Sequence, residues 1–538
     1  MALSVHSTLT KNVPALRFFY LALILLLAAL LRLYRLADFP VAFNQDEAVN
    51  GYDAFCIFHT LRDHHGNFLP CMLQAFNDWN SPLLTYLTAP FVGVAGLSEW
   101  SVRLPLALMG VLSIWLFYLL VKKLFRSEWI ALFSALCLSI MPWHIHASRF
   151  AIPPSCVPCF FILLLLLFWG AVNNASTRSY IRFVGVGIGA GLLAYAYPTQ
   201  KLFAPMALLI GVLVFGRGML RKHVAAGASF LVLTAPMYLL TMLDPQKYNG
   251  RFSQVSLFGL GGNIAGEFLT RFVEYLSPSF LFGSGDPDIV QKVPGQSVVP
   301  WFLFLFCYLG IGAGICQVLW KPNIAPVPRK FTIFLLLLFL ASPIPASLTS
   351  AHLHSFRSIQ IAPLALLFCM FGVFALVHLL EHQPRVTLFI GIVLFSLAIY
   401  RIAGVVKSYF VSYPAMSKIE YGYGIKATMK FLLAHESDFS CITVDSRANQ
   451  PYIYYLFYSR YDPRKLQYSA INAHPAKPGE WLDVDQIGKF HFRQVTDDDL
   501  RDARVIYRVS DRTQPYAEVL YKKDRGCFAI FAFTYYDQ

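Results

Sequence analysis

The stretch LALILLLAALLRLYRLADFPVAFNQDEAVNGYDAF, residues 21–55, decides the class of the fold. It opens on the uninterrupted apolar run Leu21–Leu31 and then turns polar, with Asp46 and Glu47 side by side. A helix needs about 20 apolar residues to cross the roughly 30 Å hydrocarbon core of a bilayer. No small-residue cleavage site follows the run, so we predict an uncleaved transmembrane helix rather than a signal peptide. The two carboxylates then lie just beyond the membrane.

The composition extends this prediction to the whole chain. Of the 538 residues, 57% are hydrophobic and 14% are charged, which is far more apolar than a soluble domain. The net charge of +14 would suggest a nucleic-acid partner in a soluble protein. Here the Lys and Arg residues form short clusters between apolar runs, a pattern that indicates membrane orientation. We therefore predict an integral membrane protein that has the lipid bilayer, and no nucleic acid, as its partner.

Runs long enough to span a bilayer recur throughout residues 1–407, and we count about eleven. They are 15–36, 102–121, 129–146, 155–173, 181–197, 202–216, 223–243, 299–319, 331–349, 358–380 and 386–406. A further apolar stretch, Pro82 to about Leu97, contains Pro90 and lacks a basic flank. If that stretch does not span, the predicted cytoplasmic loops collect nearly all loop Lys and Arg, as the positive-inside rule requires. We therefore predict a juxtamembrane helix there, on the outer side.

This topology puts three segments outside the membrane. They are loop 1 (residues 37–99), loop 2 (residues 244–298) and the C-terminal part. From about residue 408 the pattern becomes mixed, with GIKATMKFLLAH and PYIYYLFYSRY typical of helices and FSCITVDS, RVIYRVS and CFAIFAF typical of strands. The predicted fold is an α-helical polytopic membrane module, residues 1–407, followed by a soluble extracytoplasmic α/β domain, residues 408–538.

Polar residues that interrupt the apolar sequence gather on the predicted outer face. They are Asp46, Glu47, Tyr52, His146, Arg149, Tyr197, Lys201, His354 and Arg357. Each one alone is explained by snorkelling to the headgroups or by the aromatic belt. Together they suit a site where Arg and Lys hold a lipid phosphate while a carboxylate accepts a proton.

Sugar transfer from a lipid phosphate to a hydroxyl requires this set of groups. A base must lie near the acceptor, and cations must offset the charge that grows on the departing phosphate. The phosphate leaves as a weak base, so no general acid is needed. A glycoside hydrolase would instead need two opposed carboxyl groups at a defined separation.

Several longer segments resemble the GT-C membrane glycosyltransferases akin to the protein O-mannosyltransferases and the lipid A aminoarabinose transferase of bacteria. In patches over roughly 40–360, these segments are NQDEAVNGYDAF, HGNFLPCML, SPLLTYLTAPFVGVAGLSEWSVRLPLAL, YLSPSFLFGSGDPDIVQKVPGQ and SPIPASLTSAHLHSFRSIQIAP. The resemblance implies a GT-C enzyme that uses a polyprenyl-phosphate sugar donor and inverts the sugar.

The resemblance also implies roles for individual residues. The family's Asp-Glu motif falls on Asp46 and Glu47 as the catalytic pair, so Asp46 inherits the role of catalytic base or of positioning the acceptor. Glu47 either orients Asp46 or begins the next helix. Basic residues of later outer loops that bind the donor phosphate correspond to Arg357 first, then Lys201 and Arg149. The other polar residues of the outer face become substrate-binding candidates, namely Tyr52, Tyr197, His146 and His354.

One segment departs from the family pattern. Many relatives carry a Lys-Pro-Pro-Leu-Tyr type sequence at the juxtamembrane helix, whereas this chain reads DWNSPLLTYL. Asn80 stands near the expected lysine, and Asp78 adds a negative charge that could hold an acceptor hydroxyl or a divalent ion. We count both as substrate-binding candidates. No cofactor is expected to be required, with a divalent metal ion as the alternative.

The rival function is a polyprenyl-lipid or solute transporter. Transporters place charged residues at midplane depth on broken helices, whereas the middles of these spans are almost free of charge. We therefore predict a glycosyltransferase of the cell (inner) membrane with an extracytoplasmic active site. The acceptor is a glycan, a lipid or a protein, and the sequence does not name the sugar.

Overall fold

Helices dominate the computed structural model, which divides into two compact units. The structure describes residues 13–76, 78–173, 179–259, 263–283, 285–320, 324–417, 424–438, 441–445, 450–468, 472–473, 484–493, 505–510, 516–519 and 528–533. The first unit comprises Met1–Arg35, Leu106–Tyr238 and Val255–Tyr413, and the second comprises Leu36–Pro105, Leu239–Gln254 and Pro414–Gln538.

Long apolar helices confirm the prediction of a polytopic membrane protein. Among the described residues, eight helices are long and apolar enough to cross a bilayer: Leu16–Leu33, Glu99–Phe125, Pro153–Val172, Leu220–Leu243, Trp301–Leu319, Arg329–Ser347, Ile361–Leu379 and Pro384–Ser417. Each corresponds to one of the predicted spans. Shorter elements of the first unit include Ile264–Tyr275, Pro278–Phe282 and Ile344–Ser347.

The other three predicted spans form shorter apolar helices, Glu128–Ser139, Ser179–Ala194 and Gln200–Phe215. The first has 12 residues because Pro142, which lacks an N–H, begins the separate helix Pro142–Ala147. The other two have 16 residues each. At 1.5 Å per residue, 16 residues reach about 24 Å, less than the roughly 30 Å of a typical bilayer core.

Two glycines allow a close crossing of the Phe304–Leu319 and Ile361–Leu379 helices. A Cβ atom on Gly310 would overlap the carbonyl oxygen of Phe368, and one on Gly372 would overlap the carbonyl oxygen of Phe306. Small residues at such contacts let membrane helices approach backbone to backbone. The contact is therefore reciprocal and depends on glycine in both helices.

This crossing predicts that alanine substitutions at two neighbouring glycines differ in their effect on the stability of the protein. Gly310→Ala should destabilise the protein by about 1–3 kcal/mol, because the added methyl group forces the helices apart. Gly312 lies in the same helix and has no atom near its virtual Cβ, so Gly312→Ala is the matched control. Thermal unfolding of the two purified variants tests this, and equal melting temperatures would contradict it.

The second unit contains all of loop 1 and the C-terminal residues. Its main helices are Gln45–Thr60, Leu83–Ala95, Ile425–Ala434, Pro451–Ser459 and Pro463–Tyr468. The Leu83–Ala95 helix has 13 residues and therefore reaches only about 20 Å. Its length agrees with the prediction of a juxtamembrane helix.

Every strand among the residues that the structure describes belongs to this second unit. β1 (Leu73–Ala75) and β2 (Asp78–Asn80) form a hairpin in loop 1. The C-terminal strands are β3 (Cys441–Asp445), β4 (Asn472–Ala473), β5 (Val484–Ile487), β6 (Phe490–Arg493), β7 (Val505–Ser510), β8 (Tyr516–Val519) and β9 (Phe528–Phe533). They form one sheet in the order β4-β5-β6-β3-β9-β7-β8. β3 pairs in parallel with both β6 and β9, so the centre of the sheet is parallel, as in an α/β fold.

The Pro451–Ser459 helix packs against the Gln45–Thr60 helix of loop 1. Phe457 contacts Phe43 with ring centroids 4.7 Å apart. A Cβ atom on Gly51 would lie 2.9 Å from the Phe457 ring, so the helices meet closely at this glycine. Loop 1 and the C-terminal residues therefore form one unit, a grouping that the sequence did not predict.

Candidate active site

The acidic pair lies in the first turn of the Gln45–Thr60 helix. Asn44 caps this helix: its side-chain oxygen accepts a hydrogen bond from the Asp46 N–H at 2.9 Å, and its own N–H donates to Glu47 Oε2 at 3.3 Å. This reciprocal capping box fixes where the helix begins. The start of a helix favours negative charge. The half-buried Asp46 carboxylate therefore lies where its ionised form is stabilised.

Glu47 is fully buried and is held by an arginine that the sequence analysis missed. Arg103 donates to both carboxylate oxygens, from Nε at 2.8 Å and from Nη2 at 2.7 Å. Its Nη atoms also donate to four backbone carbonyls at the start of loop 1, those of Leu36, Ala37, Pro40 and Ala42. Neither side chain is exposed to solvent. The geometry thus gives Glu47 a role in shaping loop 1 and leaves Asp46 as the more accessible carboxylate of the pair.

Two tyrosines of the second unit bear on the site, Tyr52 in this helix and Tyr454 in the Pro451–Ser459 helix. Tyr52, predicted to bind substrate, is fully buried, and its hydroxyl donates to the Tyr461 carbonyl at 3.0 Å. Tyr454 lies near the acidic pair: burial, together with the charges of Asp46 and Glu47, raises its pKa well above the ordinary value. Its phenol is therefore neutral at physiological pH. The sequence predicted the helix that carries Tyr454, but no local pattern pairs that helix with the acidic motif.

In the first unit, the predicted phosphate ligand Arg149 is fully buried. Its Nη atoms donate to three backbone carbonyls at the end of the first helix, those of Leu31, Tyr34 and Arg35, at 3.1, 2.8 and 3.3 Å. Its guanidinium also lies over the rings of Tyr409 and Phe410, 5.6 and 5.2 Å from their centroids. These contacts satisfy carbonyls that a helix end leaves without intrahelical partners.

His146 is likewise fully buried. Its Nε2 lies 2.8 Å from the carbonyl oxygen of Val290 in loop 2. Because a carbonyl only accepts hydrogen bonds, Nε2 carries the proton. The imidazole also stacks on Phe150 and Phe356, with centroids 5.5 and 6.1 Å away. These contacts anchor loop 2, and the substrate-binding role of His146 stays a prediction.

The segment that carries Arg357, residues 348–357, is fastened by residues from the preceding part of the first unit. The hydrogen bonds are Leu257 N to Leu348 O (3.0 Å), Ser350 N to Val255 O (2.6 Å), Arg271 Nη1 to Ser350 O (2.8 Å), His354 N to Tyr275 Oη (2.9 Å) and Ser355 N to Asp286 Oδ2 (2.6 Å). A loop fixed at this many points holds its side chains in a defined geometry.

Several buried polar atoms of Arg357 and its neighbours in sequence have no hydrogen-bond partner among the residues that the structure describes. They are Arg357 Nη1, His354 Nδ1 and the hydroxyl of Ser358. Buried polar groups are normally hydrogen-bonded. Burial, helped by the charge of Arg357, lowers the pKa of His354 to about 3, so its ring is neutral. The guanidinium and the hydroxyl can donate to a phosphate, and the neutral imidazole can donate through whichever ring nitrogen carries its proton.

The stretch with Tyr197 and Lys201 is tied to the Arg357 segment by a buried amide pair. Gln200 Nε2 donates to Gln360 Oε1 at 2.8 Å, and Gln360 Nε2 donates to the Ser342 carbonyl at 2.6 Å. Burial raises the pKa of Tyr275, on which both Tyr197 and Arg357 also act electrostatically. The first unit therefore brings Tyr197, His354 and Arg357 into one region, and Lys201 follows Gln200 in the chain.

Loop 2 adds a buried charge pair that the sequence analysis did not identify. Asp286 accepts hydrogen bonds from the N–H groups of Asp288 and Ser355. Burial raises the pKa of Asp286. Burial also lowers the pKa of Lys292, and the nearby Asp286 charge opposes that shift. The Asp286 carboxylate and the Lys292 ammonium, six residues apart in the chain, therefore interact electrostatically within loop 2.

The remaining candidates, Asp78 and Asn80, lie in β2 of the loop 1 hairpin and are half-buried. In the register of the hairpin they stand opposite Ala75 and Leu73. Their substrate-binding roles stay predictions. Across the described ranges, no three His, Cys, Asp or Glu side chains are grouped as metal ligands would be.

Part of the sequence matches a known family. Residues 80–239 match the family model described as dolichyl-phosphate-mannose-protein mannosyltransferase. This segment runs from the end of the hairpin through the helices that carry Arg103 and Lys201, and it includes Arg149. A comparison of the sequence with curated proteins finds no significant match.

Solved structures share the architecture of most of the chain. ArnT from Cupriavidus metallidurans in the apo state superposes with a TM-score of 0.54 at 15% sequence identity, covering 84% of this chain and 85% of that chain. This chain has the GT-C fold. ArnT bound to undecaprenyl phosphate gives a TM-score of 0.50 at 16% identity and covers 84% of this chain and 87% of that chain.

The GT-C fold also relates the chain to an archaeal enzyme. The oligosaccharyltransferase AglB from Archaeoglobus fulgidus, solved with an inhibitory peptide and a dolichol-phosphate, gives a TM-score of 0.50 at 14% identity. That match covers 83% of this chain but only 64% of AglB. The GT-C resemblance predicted from the sequence motifs is thus confirmed. The family model that residues 80–239 match describes mannosyltransferases, and AglB is an oligosaccharyltransferase.

Proposed function

We propose that this protein transfers a sugar from a polyprenyl-phosphate donor to an acceptor at the outer face of the cell (inner) membrane, with inversion at the sugar. Asp46 is the catalytic base, and Arg357 with Lys201 binds the donor phosphate. The acceptor is a glycan, a lipid or a protein. Arg149 is left out of the phosphate site because its guanidinium holds a helix end and two aromatic rings.

The observation that carries the proposal is the set of buried donors around Arg357. One guanidinium nitrogen, one imidazole nitrogen and the Ser358 hydroxyl lack a partner within the described part of the chain. Charge-assisted hydrogen bonds to phosphate oxygens would satisfy such donors. The structures of AglB and ArnT, which share the fold, were solved with dolichol-phosphate and undecaprenyl phosphate, and this supports a polyprenyl phosphate as the ligand.

The proposed reaction is a single displacement. The acceptor oxygen forms a bond to the anomeric carbon of the sugar while its proton passes to Asp46. The bond from that carbon to the phosphate oxygen breaks, and the electron pair leaves with the polyprenyl phosphate. Positive charge from Arg357 and Lys201 stabilises the leaving phosphate as its charge grows.

A transfer assay tests the proposal directly. The purified full chain in lipid nanodiscs is incubated with a panel of polyprenyl-phosphate sugars and with lipid, glycan and peptide acceptors, and the products are identified by mass spectrometry. We expect one donor to be consumed, with turnover that persists in EDTA because the proposed chemistry uses no metal ion. A transporter would move the lipid across vesicles without forming a glycosylated product, and that result would overturn the proposal.

Arg357→Ala should weaken donor binding. Loss of a charge-assisted contact costs about 1.5–3 kcal/mol, so KM for the donor should rise by roughly 10- to 150-fold. The control is His352→Ala, because His352 lies in the same segment, is exposed and pairs with Glu274. Steady-state kinetics at varied donor concentration give KM for the donor in both variants. An unchanged KM in Arg357→Ala would remove this residue from the phosphate site.

A further inference from the structure

The Ile264–Tyr275 helix, IAGEFLTRFVEY, presents three different faces. One face packs on the protein and carries Arg271 and Tyr275, which are 8% and 0% exposed. A second face is apolar but exposed, with Leu269 at 59% and Val273 at 57%. At 100° per residue, these two lie one turn apart on the same side of the helix.

The third face of this helix is polar. It carries Glu267, Thr270 and Glu274, which project between the exposed apolar face and the protein-facing side. Phe272 lies beside Leu269 and stacks on Phe268 with ring centroids 5.9 Å apart, which widens the apolar face. A helix with protein on one side, apolar residues on a second and charges on a third fits the boundary between membrane and water.

The helix lies at the end of two membrane spans. It contacts Ile344–Ser347, the last turn of the Arg329–Ser347 span, and it contacts Pro278–Phe282. Phe282 packs on Phe304 at 5.6 Å, in the first turns of the Trp301–Leu319 span. These two spans follow each other in the chain and cross the membrane in opposite directions. The end of Arg329–Ser347 and the start of Trp301–Leu319 therefore lie at the same membrane surface.

Like the apolar face of this helix, the surface that those spans present to lipid carries exposed apolar side chains. Trp301 and Leu305, in the first turns of the Trp301–Leu319 span, are 49% and 66% exposed. In a membrane protein such side chains face lipid, and a tryptophan at the span end marks the interface. We propose that the Ile264–Tyr275 helix inserts Leu269 and Val273 into the bilayer at this interface, as a membrane-surface anchor.

The charges on the polar face indicate whether insertion of the helix depends on anionic lipids. Its ionisable residues, Glu267 and Glu274, are acidic, with no basic cluster that would attract anionic headgroups. Insertion therefore rests on the apolar side chains and does not depend on anionic lipid. The inner face links this anchor to the rest of the unit, because Tyr275 accepts from the His354 N–H and Arg271 donates to the Ser350 carbonyl.

Photo-crosslinking in bilayers tests the anchor. A benzophenone amino acid replaces Leu269 in the full chain, and a matched variant carries it at Thr270, the next residue and also exposed. Both are reconstituted in phosphatidylcholine alone and in an equimolar mixture with phosphatidylglycerol, irradiated, and analysed by mass spectrometry. We expect several times more lipid adduct at position 269 than at 270, and the same yield in both membranes.

Three results would overturn the anchor. Equal adduct at the two positions would mean that the apolar face is not directed into lipid. A crosslinked dimer in place of lipid adduct would identify a second copy of the chain as the occupant. Adduct that forms only with phosphatidylglycerol would contradict insertion by apolar side chains. None of these results bears on sugar transfer, so the anchor and the proposed reaction fail independently.

Discussion

Asp46→Asn is expected to lower the rate of sugar transfer by about 10²–10⁴-fold, the range typical for removing a general base. The amide keeps the size of the side chain but cannot accept the acceptor proton. The helix start itself should persist, because Asn44 and Glu47 form the capping box and the Asp46 backbone N–H is unchanged. The fall should therefore appear in kcat, with little change in KM for the donor.

Asp38→Asn is the matched control for this variant. Asp38 also belongs to loop 1, is exposed, and loses the same charge on substitution. Steady-state transfer by the two variants, measured side by side with their thermal unfolding, separates chemistry from folding. If Asp46→Asn retains wild-type kcat, then Asp46 is not the base and another group must deprotonate the acceptor.

Arg103→Met is expected to be the most destabilising substitution in loop 1 or its neighbouring helices. Removing one partner of a buried ion pair typically costs about 3–5 kcal/mol, because the other charge is left uncompensated. Here the Glu47 carboxylate would lose the two N–H groups that Arg103 donates to it. The four loop 1 carbonyls that Arg103 bridges would lose theirs as well. Thermal unfolding and limited proteolysis of loop 1 measure the effect.

A second variant identifies the cause of that loss. Combining Glu47→Gln with Arg103→Met removes the uncompensated charge, so the double variant should be more stable than Arg103→Met alone. The control is Arg62→Met, since Arg62 is exposed and donates to the carbonyl of Gly66 in loop 1. Stability of Arg103→Met equal to that of Arg62→Met would contradict the central role of Arg103.

Much of the fold can be predicted from hydropathy, because a membrane span is formed by consecutive apolar residues. The predicted spans 102–121 and 358–380 appear as the helices Glu99–Phe125 and Ile361–Leu379. The C-terminal pattern FSCITVDS appears as a strand, Cys441–Asp445. Local sequence also marked the helix start at the acidic pair, although its Asn44 cap was not singled out.

The side-chain partners could not be predicted in the same way, because they come from distant parts of the chain. Glu47 and Arg103 are 56 residues apart, and burial of both is what makes their pairing decisive. A hydropathy pattern likewise cannot tell a basic residue that faces a ligand from one that holds a helix end. Arg149 and Arg357 look equivalent in sequence, yet one is fully buried and the other is half-buried.

The bond between Tyr52 and Tyr461 has a consequence for biosynthesis. The two residues are separated by 409 positions, and ribosomes add about 5–20 residues per second. At that speed, the helix that begins with the acidic pair emerges roughly 20 to 80 s before its C-terminal packing partner exists. Loop 1 must therefore stay unaggregated in an incomplete form throughout that interval. If translation stops before residue 451, the incomplete protein contains its membrane spans, but its Gln45–Thr60 helix lacks the C-terminal helix that packs on it.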